Sequence, residues 1–324
     1  MTMLKKIAAL TLALMMTLSM TTALAQEKMI TIGISQFAEH GSLDNCREGF
    51  KAGLAEAGFV EGENVTFDLQ NAQADTGISA QIADKFANSC DLICAIATPA
   101  AMSCFNAAQD KGIPVIYTAV SDPLSCQLAN ADGTNPGEIT GTSDALPVEA
   151  QLKLIRAMMP EAKKIGILHT TSETNSDSTL AQYKALAPNY GFEIIDAGIS
   201  TGADLPMALD SLLPKVDCTT NLTDNTVVSY LPLVLEMSAE AGKPVFGSEI
   251  EQVRMGCVAA EGLEYYELGK QTGRMAARVL QGESAATIPF EIITNSYLYV
   301  NEEAMASFGL TLPAELTERA NPVK

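Results

Sequence analysis

The sequence contains no tryptophan, only two histidines, and only 20 lysine and arginine residues against 39 acidic residues. The formal charge of −19 argues against nucleic acid as a partner, because binding phosphate requires a basic surface. Anionic lipid is disfavoured for the same reason. A large acidic excess keeps a soluble protein dispersed, and it does not by itself identify a ligand.

The short motifs of phosphate binding and of catalysis are also missing. Neither G-x-x-x-x-G-K nor G-x-G-x-x-G occurs, and there is no G-x-S-x-G or H-E-x-x-H. His40 and His169 each follow a predicted strand and could face one cleft, but no nucleophile motif accompanies them. An enzyme is therefore the weaker alternative, and the sequence predicts neither a cofactor nor a metal site.

The seven cysteines leave at least one thiol without an intramolecular partner. They form no C-x-x-C pair and are not spaced with the histidines as metal ligands. Cys94 and Cys218 lie in apolar strand-like runs, where a small buried side chain is expected. Cys104 and Cys126 would follow adjacent strands, so a disulfide between them is an alternative that the sequence leaves open.

The first 25 residues have the pattern of an export signal. Lys5 and Lys6 precede an apolar run over residues 7–20, and Ala23-Leu24-Ala25 predicts cleavage after Ala25. The run is shorter than the roughly 20 residues that span a bilayer, which disfavours the alternative of a retained anchor. No cysteine begins the mature chain, so lipid attachment is not expected and a periplasmic location is predicted.

Strand and helix signals alternate through the rest of the chain in two series. The predicted strands of the first series are 29–35, 65–69, 91–97 and 113–118, and those of the second are 164–169, 192–196, 216–219 and 244–246. Alternation of this kind predicts parallel sheets with right-handed crossovers. Gly33 precedes Gly58 by 25 residues, and Gly166 precedes Gly191 by the same spacing. The repeat predicts two similar lobes.

The later part of the chain is expected to cross between the lobes twice more. We predict an α/β fold of two similar doubly wound parallel-sheet lobes joined by a three-crossing hinge. The predicted segments are residues 26–144 plus 253–289 for the first lobe and residues 145–252 plus 290–324 for the second.

Ligands of open parallel sheets bind beyond the carboxyl ends of the strands, where this chain concentrates its polar residues. Thr98 and Pro99 suit a helix start whose positive end could receive a carboxylate, although Thr98 could instead only cap that helix. Asp122 could accept a ligand group, but aspartate before proline is also ordinary turn chemistry. These loops contain hydroxyls, amides and carboxylates with almost no lysine or arginine, which favours a zwitterionic ligand.

Six stretches together carry a family resemblance: REGFKAGLAEAGFVEGENV (47–65), IATPAA (96–101), TAVSDPL (118–124), ITGTSDALPVEAQLKLI (139–155), TDNTV (223–227) and YYELGKQTGRMAARVL (265–280). They resemble the substrate-binding proteins of ABC transporters, a family that includes tryptophan- and tyrosine-binding members. The resemblance implies a type I periplasmic-binding-protein fold, a monomer, an ABC permease as membrane partner, and an aromatic or other apolar amino acid between the lobes. A sensor that signals to a chemoreceptor or kinase is the alternative.

The resemblance also implies a set of ligand contacts. These are Gln36, Thr98, Ser121, Asp122, Ser143, Asp144, Ser172, Glu173, Asp224, Asn225 and Glu249. Thr98 and Ser121 would bind the ligand carboxylate, and Asp224 and Asp122 its ammonium group. The sequence departs from the family at His169-Thr170-Thr171, where a Tyr-Asn-Ser kind of run is expected, and at Ser35, where a larger apolar residue is common. Both departures flank the expected side-chain pocket.

Overall fold

The computed structural model describes residues 29–293 and 295–323. The predicted export signal lies outside the described residues. Within them, no helix combines the length and the apolar character that crossing a bilayer requires.

The elements alternate as the sequence predicts. The strands are β1 (Ile30–Gln36), β2 (Val65–Asn71), β3 (Leu92–Ile96), β4 (Val115–Thr118), β5 (Ile139–Ser143), β6 (Lys164–Thr170), β7 (Glu193–Ile199), β8 (Cys218–Thr220), β9 (Val245–Phe246), β10 (Ala259–Gly262), β11 (Glu291–Ile292), β12 (Tyr297–Val300) and β13 (Ala320–Pro322). The helices are α1 (Gly41–Glu56), α2 (Thr76–Ser89), α3 (Thr98–Ala108), α4 (Val148–Met158), α5 (Thr174–Leu186), α6 (Leu205–Leu212), α7 (Asn225–Ser229), α8 (Leu231–Glu240), α9 (Ile250–Met255), α10 (Tyr265–Leu280), α11 (Glu302–Ser307) and α12 (Ala314–Thr317).

The first lobe is built on a parallel sheet in the order β11-β5-β4-β3-β1-β2. Every residue of β3 and β4 is buried, because helices cover both faces of a doubly wound sheet. Helix α1 packs against α10, and α2 packs against α3. The core of this lobe includes Ile34, Phe50, Phe86 and Ile116.

The second lobe has a parallel sheet in the order β7-β6-β8-β9 and a smaller sheet in the order β10-β12-β13. The two sheets are continuous at the backbone, because Val258 N–H donates to Val245 O at 2.8 Å and Gly247 N–H donates to Ala259 O at 2.9 Å. Strand β12 runs antiparallel to β10. The α/β fold of two parallel-sheet lobes is therefore confirmed.

Strand β10 corrects the predicted lobe boundary at residue 253. It pairs with β12, and Val258 and Ala259 pack with Leu298 and Val300 in the second lobe. Strand β11, predicted in the second lobe, pairs instead with β5 of the first. The sequence of a strand as short as these does not indicate which open sheet edge it will extend. Hereafter lobe 1 denotes residues 29–143 and 265–293, and lobe 2 denotes residues 146–263 and 297–323.

Glycines bring α1 and α10 into backbone contact within lobe 1. A Cβ atom on Gly49 would lie 2.1 Å from Tyr266 O, and one on Gly269 would lie 2.1 Å from Cys46 O. Only a residue without a side chain permits so close an approach. Helix α10, which the chain adds after most of lobe 2, is thus an integral part of the lobe 1 core.

The cysteine thiols are all free and buried, including Cys94 and Cys218 as expected. The alternative of a Cys104–Cys126 disulfide is not realised in the structure. Burial raises the pKa of the Cys104 thiol to about 12, which makes it a poor nucleophile. Among the described residues, no group of three or more His, Cys, Asp or Glu side chains is arranged to hold a metal ion.

Candidate ligand-binding site

A small closed cavity lies between the lobes, at the carboxyl ends of the parallel strands. It is lined by His40, Ser42, Leu43, Ala119, Asp144 and Tyr265 on one side and by Thr223, Asn225, Val228, Glu249 and Gln252 of lobe 2 on the other. Its volume of about 20 Å³ is close to the room that one water molecule needs. We call it the interlobe cavity.

Direct contacts hold the lobes together around this cavity. The Asn45 side-chain amide of lobe 1 donates to Glu251 Oε1 of lobe 2 at 3.0 Å. The hydroxyls of Ser121 and Thr223, which also belong to different lobes, lie 3.2 Å apart. The structure therefore represents a closed arrangement of the lobes.

Two buried carboxyl groups face the interlobe cavity. Asp144, at the first crossing between the lobes, accepts a hydrogen bond from the Tyr265 hydroxyl at 2.6 Å, while its second oxygen, Oδ1, is buried without a partner. Burial raises the pKa of Asp144 and raises that of Glu249 to about 7. Among the described residues that line the cavity, none is lysine or arginine. The site is consequently suited to a cationic group.

Glu249 caps a helix in addition to lining the cavity. It precedes α9, and its carboxylate accepts hydrogen bonds from the backbone N–H groups of Glu251 at 2.6 Å and Gln252 at 2.9 Å. Such N-cap bonds satisfy amides that the helix itself cannot pair. The cap fixes the carboxylate at the cavity wall.

His40 also lines the cavity, and both of its ring nitrogens are buried without a hydrogen-bond partner. Burial lowers the pKa of His40 to about 4, although Asn225 and Asp44 act in the opposite direction. The imidazole is therefore neutral near pH 7. Sequence reasoning did not select His40 as a ligand contact, and its position four residues after β1 was the available signal. His169 instead lies beside Asp177 and Asp196, so the two histidines do not share this cavity.

Thr98 does not cap the helix that it begins. The N-cap position of α3 is Ala97, and the Thr98 hydroxyl is buried without a hydrogen-bond partner. Ala97 has a φ of 80°, and Ala119, which follows β4, has a φ of 55°. Residues other than glycine rarely adopt this region, and such strain concentrates at functional sites. The ends of β3 and β4 thus combine strained backbone with an unpaired hydroxyl.

Three lobe 1 residues predicted to contact the ligand form hydrogen bonds within their own lobe. The Gln36 side chain donates to Ala38 O and to Asp44. Asp122 Oδ1 accepts from two backbone N–H groups of its own turn, at 3.1 and 3.2 Å, so the turn alternative is realised. The Ser143 hydroxyl donates to Ser121 O at 3.1 Å. These bonds organise the loops that surround the cavity.

Asp224 receives a different role from the predicted ammonium contact. It is fully buried and caps α7, and its carboxylate accepts four hydrogen bonds, from Thr170 N–H, the Thr170 hydroxyl, the Ser176 hydroxyl and Val227 N–H. A carboxylate offers about four acceptor positions, so none remains for a ligand. Asp224 therefore anchors α7 to the end of β6.

Glu173 supports the same helix. Its carboxylate accepts hydrogen bonds from the backbone N–H groups of Asn225 and Thr226 and from both of their side chains. Burial and the nearby Asp224 raise the pKa of Glu173. Through these bonds Glu173 holds Asn225 at the cavity wall. Ser172 is exposed and lines a separate open groove with Glu39.

The fold and the interlobe cavity define a two-lobed solute-binding protein of the type I periplasmic class. A leucine-binding protein from Thermotoga maritima, 13% identical, shares the fold with a TM-score of 0.58 over 78% of this chain and 81% of that one. The family model described as "ABC transporter substrate binding protein" matches residues 31–324. The chain belongs to that family.

Three relatives are closer in sequence. A "Tyrosine-binding protein" from Clostridioides difficile (strain R20291) is 37% identical over 285 residues, which cover 88% of this chain and 82% of the relative. An ABC domain from Streptococcus pneumonia in complex with L-Trp is 31% identical and has a TM-score of 0.87 over 91% of this chain and 99% of its own. A ligand-free, open substrate binding protein from Clostridium difficile is 38% identical, with a TM-score of 0.68 over the same shares, 91% and 99%.

The two solved structures differ in how well they superpose on this chain. The L-Trp complex has the higher TM-score despite its lower sequence identity. The lobes of this chain are thus arranged more as in that complex than as in the open structure. This agrees with the direct lobe–lobe contacts of Asn45 and Ser121.

Proposed function

We propose that this chain is the periplasmic receptor of an ABC importer and captures an amino acid, aromatic or otherwise apolar, between its lobes. One observation carries the proposal: the lining of the interlobe cavity contains both Asp144 and Glu249 and no lysine or arginine. Buried carboxylates without a positive counter-charge cost free energy, which the ammonium group of a ligand offsets through charge-assisted hydrogen bonds. Asp144 Oδ1, which has no partner, is the first acceptor for that ammonium.

The other parts of an amino acid also have complementary groups, at the start of α3, outside the lining of the closed cavity, and in the lining itself. The buried Thr98 hydroxyl and the positive end of α3 suit the carboxylate. Leu43, Ala119 and Val228 supply apolar surface for a side chain. Because the closed cavity is small, the ligand enters while the lobes are apart, and the lobes then close on it.

The relatives support an aromatic ligand. One relative is named for tyrosine binding, and a solved relative holds L-Trp. The export pattern in residues 1–25 supports a periplasmic location. Membership of the substrate-binding family supports an ABC permease as the partner, which on our proposal recognises the receptor as a closed monomer.

The ligand proposal is tested by calorimetry with the twenty amino acids and with the same compounds lacking the amino group. Asp144→Asn should weaken binding at least about tenfold, because a hydrogen bond to a charged group is worth about 1.5–3 kcal/mol. Asp122→Asn is the matched control, since that carboxylate bonds only its own turn. Equal affinity for a ligand with and without its amino group would contradict the proposal.

The transport proposal is tested separately in cells. Deleting the gene should abolish high-affinity uptake of the ligand found by calorimetry, and the exported protein should begin at Gln26 by terminal sequencing. Unchanged uptake with an unchanged chemotactic response to the ligand would oppose both an importer and a sensor. Loss of the response alone would favour the sensor.

A further inference from the structure

Besides its carboxylates, the interlobe cavity has the imidazole of His40 in its lining. His40, at the start of α1, lies close to Asn225 of α7, and these two residues come from different lobes. The Asn225 amide donates one of its two N–H groups to Glu173 Oε2 at 2.6 Å, and the other faces the imidazole of His40. Neither ring nitrogen of His40 makes a well-formed hydrogen bond with the protein, so at least one of them is open to a ligand group.

The protonation state of His40 limits what it can bind. Burial lowers the pKa of this imidazole to about 4, so at neutral pH one ring nitrogen donates a hydrogen bond and the other can accept one. A neutral ring attracts neither an ammonium nor a carboxylate by net charge. It is instead suited to an uncharged group that can donate or accept a hydrogen bond.

The surroundings of His40 also disfavour the charged ends of an amino acid. Asp44 lies near it on α1, and Glu173 lies behind Asn225, so a ligand carboxylate would meet negative charge there. The ammonium group has the carboxylates of Asp144 and Glu249 as acceptors in the cavity lining. Leu43 and Val228, which also line the cavity, offer apolar contacts for a ring.

We infer that His40 is a specificity-determining residue, which hydrogen-bonds the ring O–H or N–H of the ligand side chain and so selects a phenol or an indole over a phenyl ring. The inference rests on the proposed function and deepens it. A phenyl side chain would enclose His40 without giving it a partner, and an unpaired buried polar group is costly. A ligand able to pair with it avoids this cost.

The test compares L-tyrosine, L-tryptophan and L-phenylalanine by calorimetry on the full chain and on His40→Leu. The wild-type protein should bind tyrosine or tryptophan about 5- to 150-fold more tightly than phenylalanine. His40→Leu should reduce this preference to within about threefold, chiefly by weakening the ligand that can hydrogen-bond. His40→Asn, which keeps polar atoms near this position, should retain part of the preference, and it serves if the leucine variant fails to fold.

The outcomes separate the inference from the function on which it rests. A preference that is unchanged in both variants would overturn the role of His40. Equal weakening of all three amino acids would also overturn it, because His40 would then contact a group that they share. Wild-type protein that binds none of the twenty amino acids would overturn the proposed function itself.

Discussion

Replacement of Thr98 by valine should move stability and affinity in opposite directions. The Thr98 hydroxyl is buried without a partner, and a hydroxyl buried in this way costs about 1–3 kcal/mol in proteins. Valine keeps the branched shape and removes that cost. We therefore expect the ligand-free protein to gain about 1 kcal/mol in its free energy of unfolding.

The same replacement should weaken ligand binding. If Thr98 donates to the ligand carboxylate, the lost hydrogen bond to a charged group is worth about 1.5–3 kcal/mol, or roughly 10- to 150-fold in Kd. Urea unfolding of the ligand-free protein and calorimetry of the complex measure the two effects. Thr140→Val is a matched control, because the buried Thr140 hydroxyl donates to Ile288 O at 2.7 Å, and its loss should destabilise the fold.

One result would refute the reasoning about Thr98. If the hydroxyl served as a helix cap, Thr98→Val would lower the free energy of unfolding by about 0.5–2 kcal/mol and leave the affinity unchanged. The structure excludes such a bond, since the Thr98 side chain caps no amide of α3.

Three further predictions concern other groups of the site. Asp224→Ala should lower the free energy of unfolding by about 3 kcal/mol, because the backbone N–H groups of Thr170 and Val227 lose a buried acceptor; unchanged urea unfolding would contradict this. Asn45→Ala should speed ligand dissociation about threefold in stopped-flow measurements, because it removes a lobe–lobe hydrogen bond worth about 0.5–1 kcal/mol; a dissociation rate equal to that of wild type would argue against a role in closure. The pKa of Glu249 is raised from 4.5 to about 7, so the folded ligand-free protein binds the proton more readily than the unfolded chain. The contribution of Glu249 to stability therefore falls as pH rises from 4.5 to 7, whereas affinity for an ammonium ligand rises over the upper part of that window; Glu249→Gln should flatten both profiles, and flat wild-type profiles between pH 5 and 8 would contradict the assignment.

The fold could be predicted from the sequence because the patterns that indicate its strands and helices are local. The uncharged run of β1 and the spacing of Gly33 and Gly58, repeated at Gly166 and Gly191, indicate two parallel-sheet units. The partner of β10 could not be predicted, because several sheet edges could receive a strand of only four residues. Which edge is free depends on β9 and β12, which lie far apart in the chain.

The sequence predicted which loops form the site, but only part of the hydrogen bonding within it. Asp144, Asn225 and Glu249, which the family resemblance implies as ligand contacts, all line the interlobe cavity. The sequence could not show that the Asp224 carboxylate accepts hydrogen bonds from nearby N–H groups, whereas Asp144 has one oxygen without a hydrogen bond. That difference depends on backbone directions in three dimensions.

The backbone contact between α1 and α10 has a consequence for the order in which the protein can fold. The contact between Gly49 on α1 and Tyr266 on α10 cannot form until Tyr266 has been synthesised, which happens only after most of lobe 2. Lobe 1 is therefore unfinished during most of translation, whereas compact early domains usually fold as they emerge. On our proposal the polypeptide crosses a membrane before it folds. The late formation of the α1–α10 contact would then keep lobe 1 from folding before export.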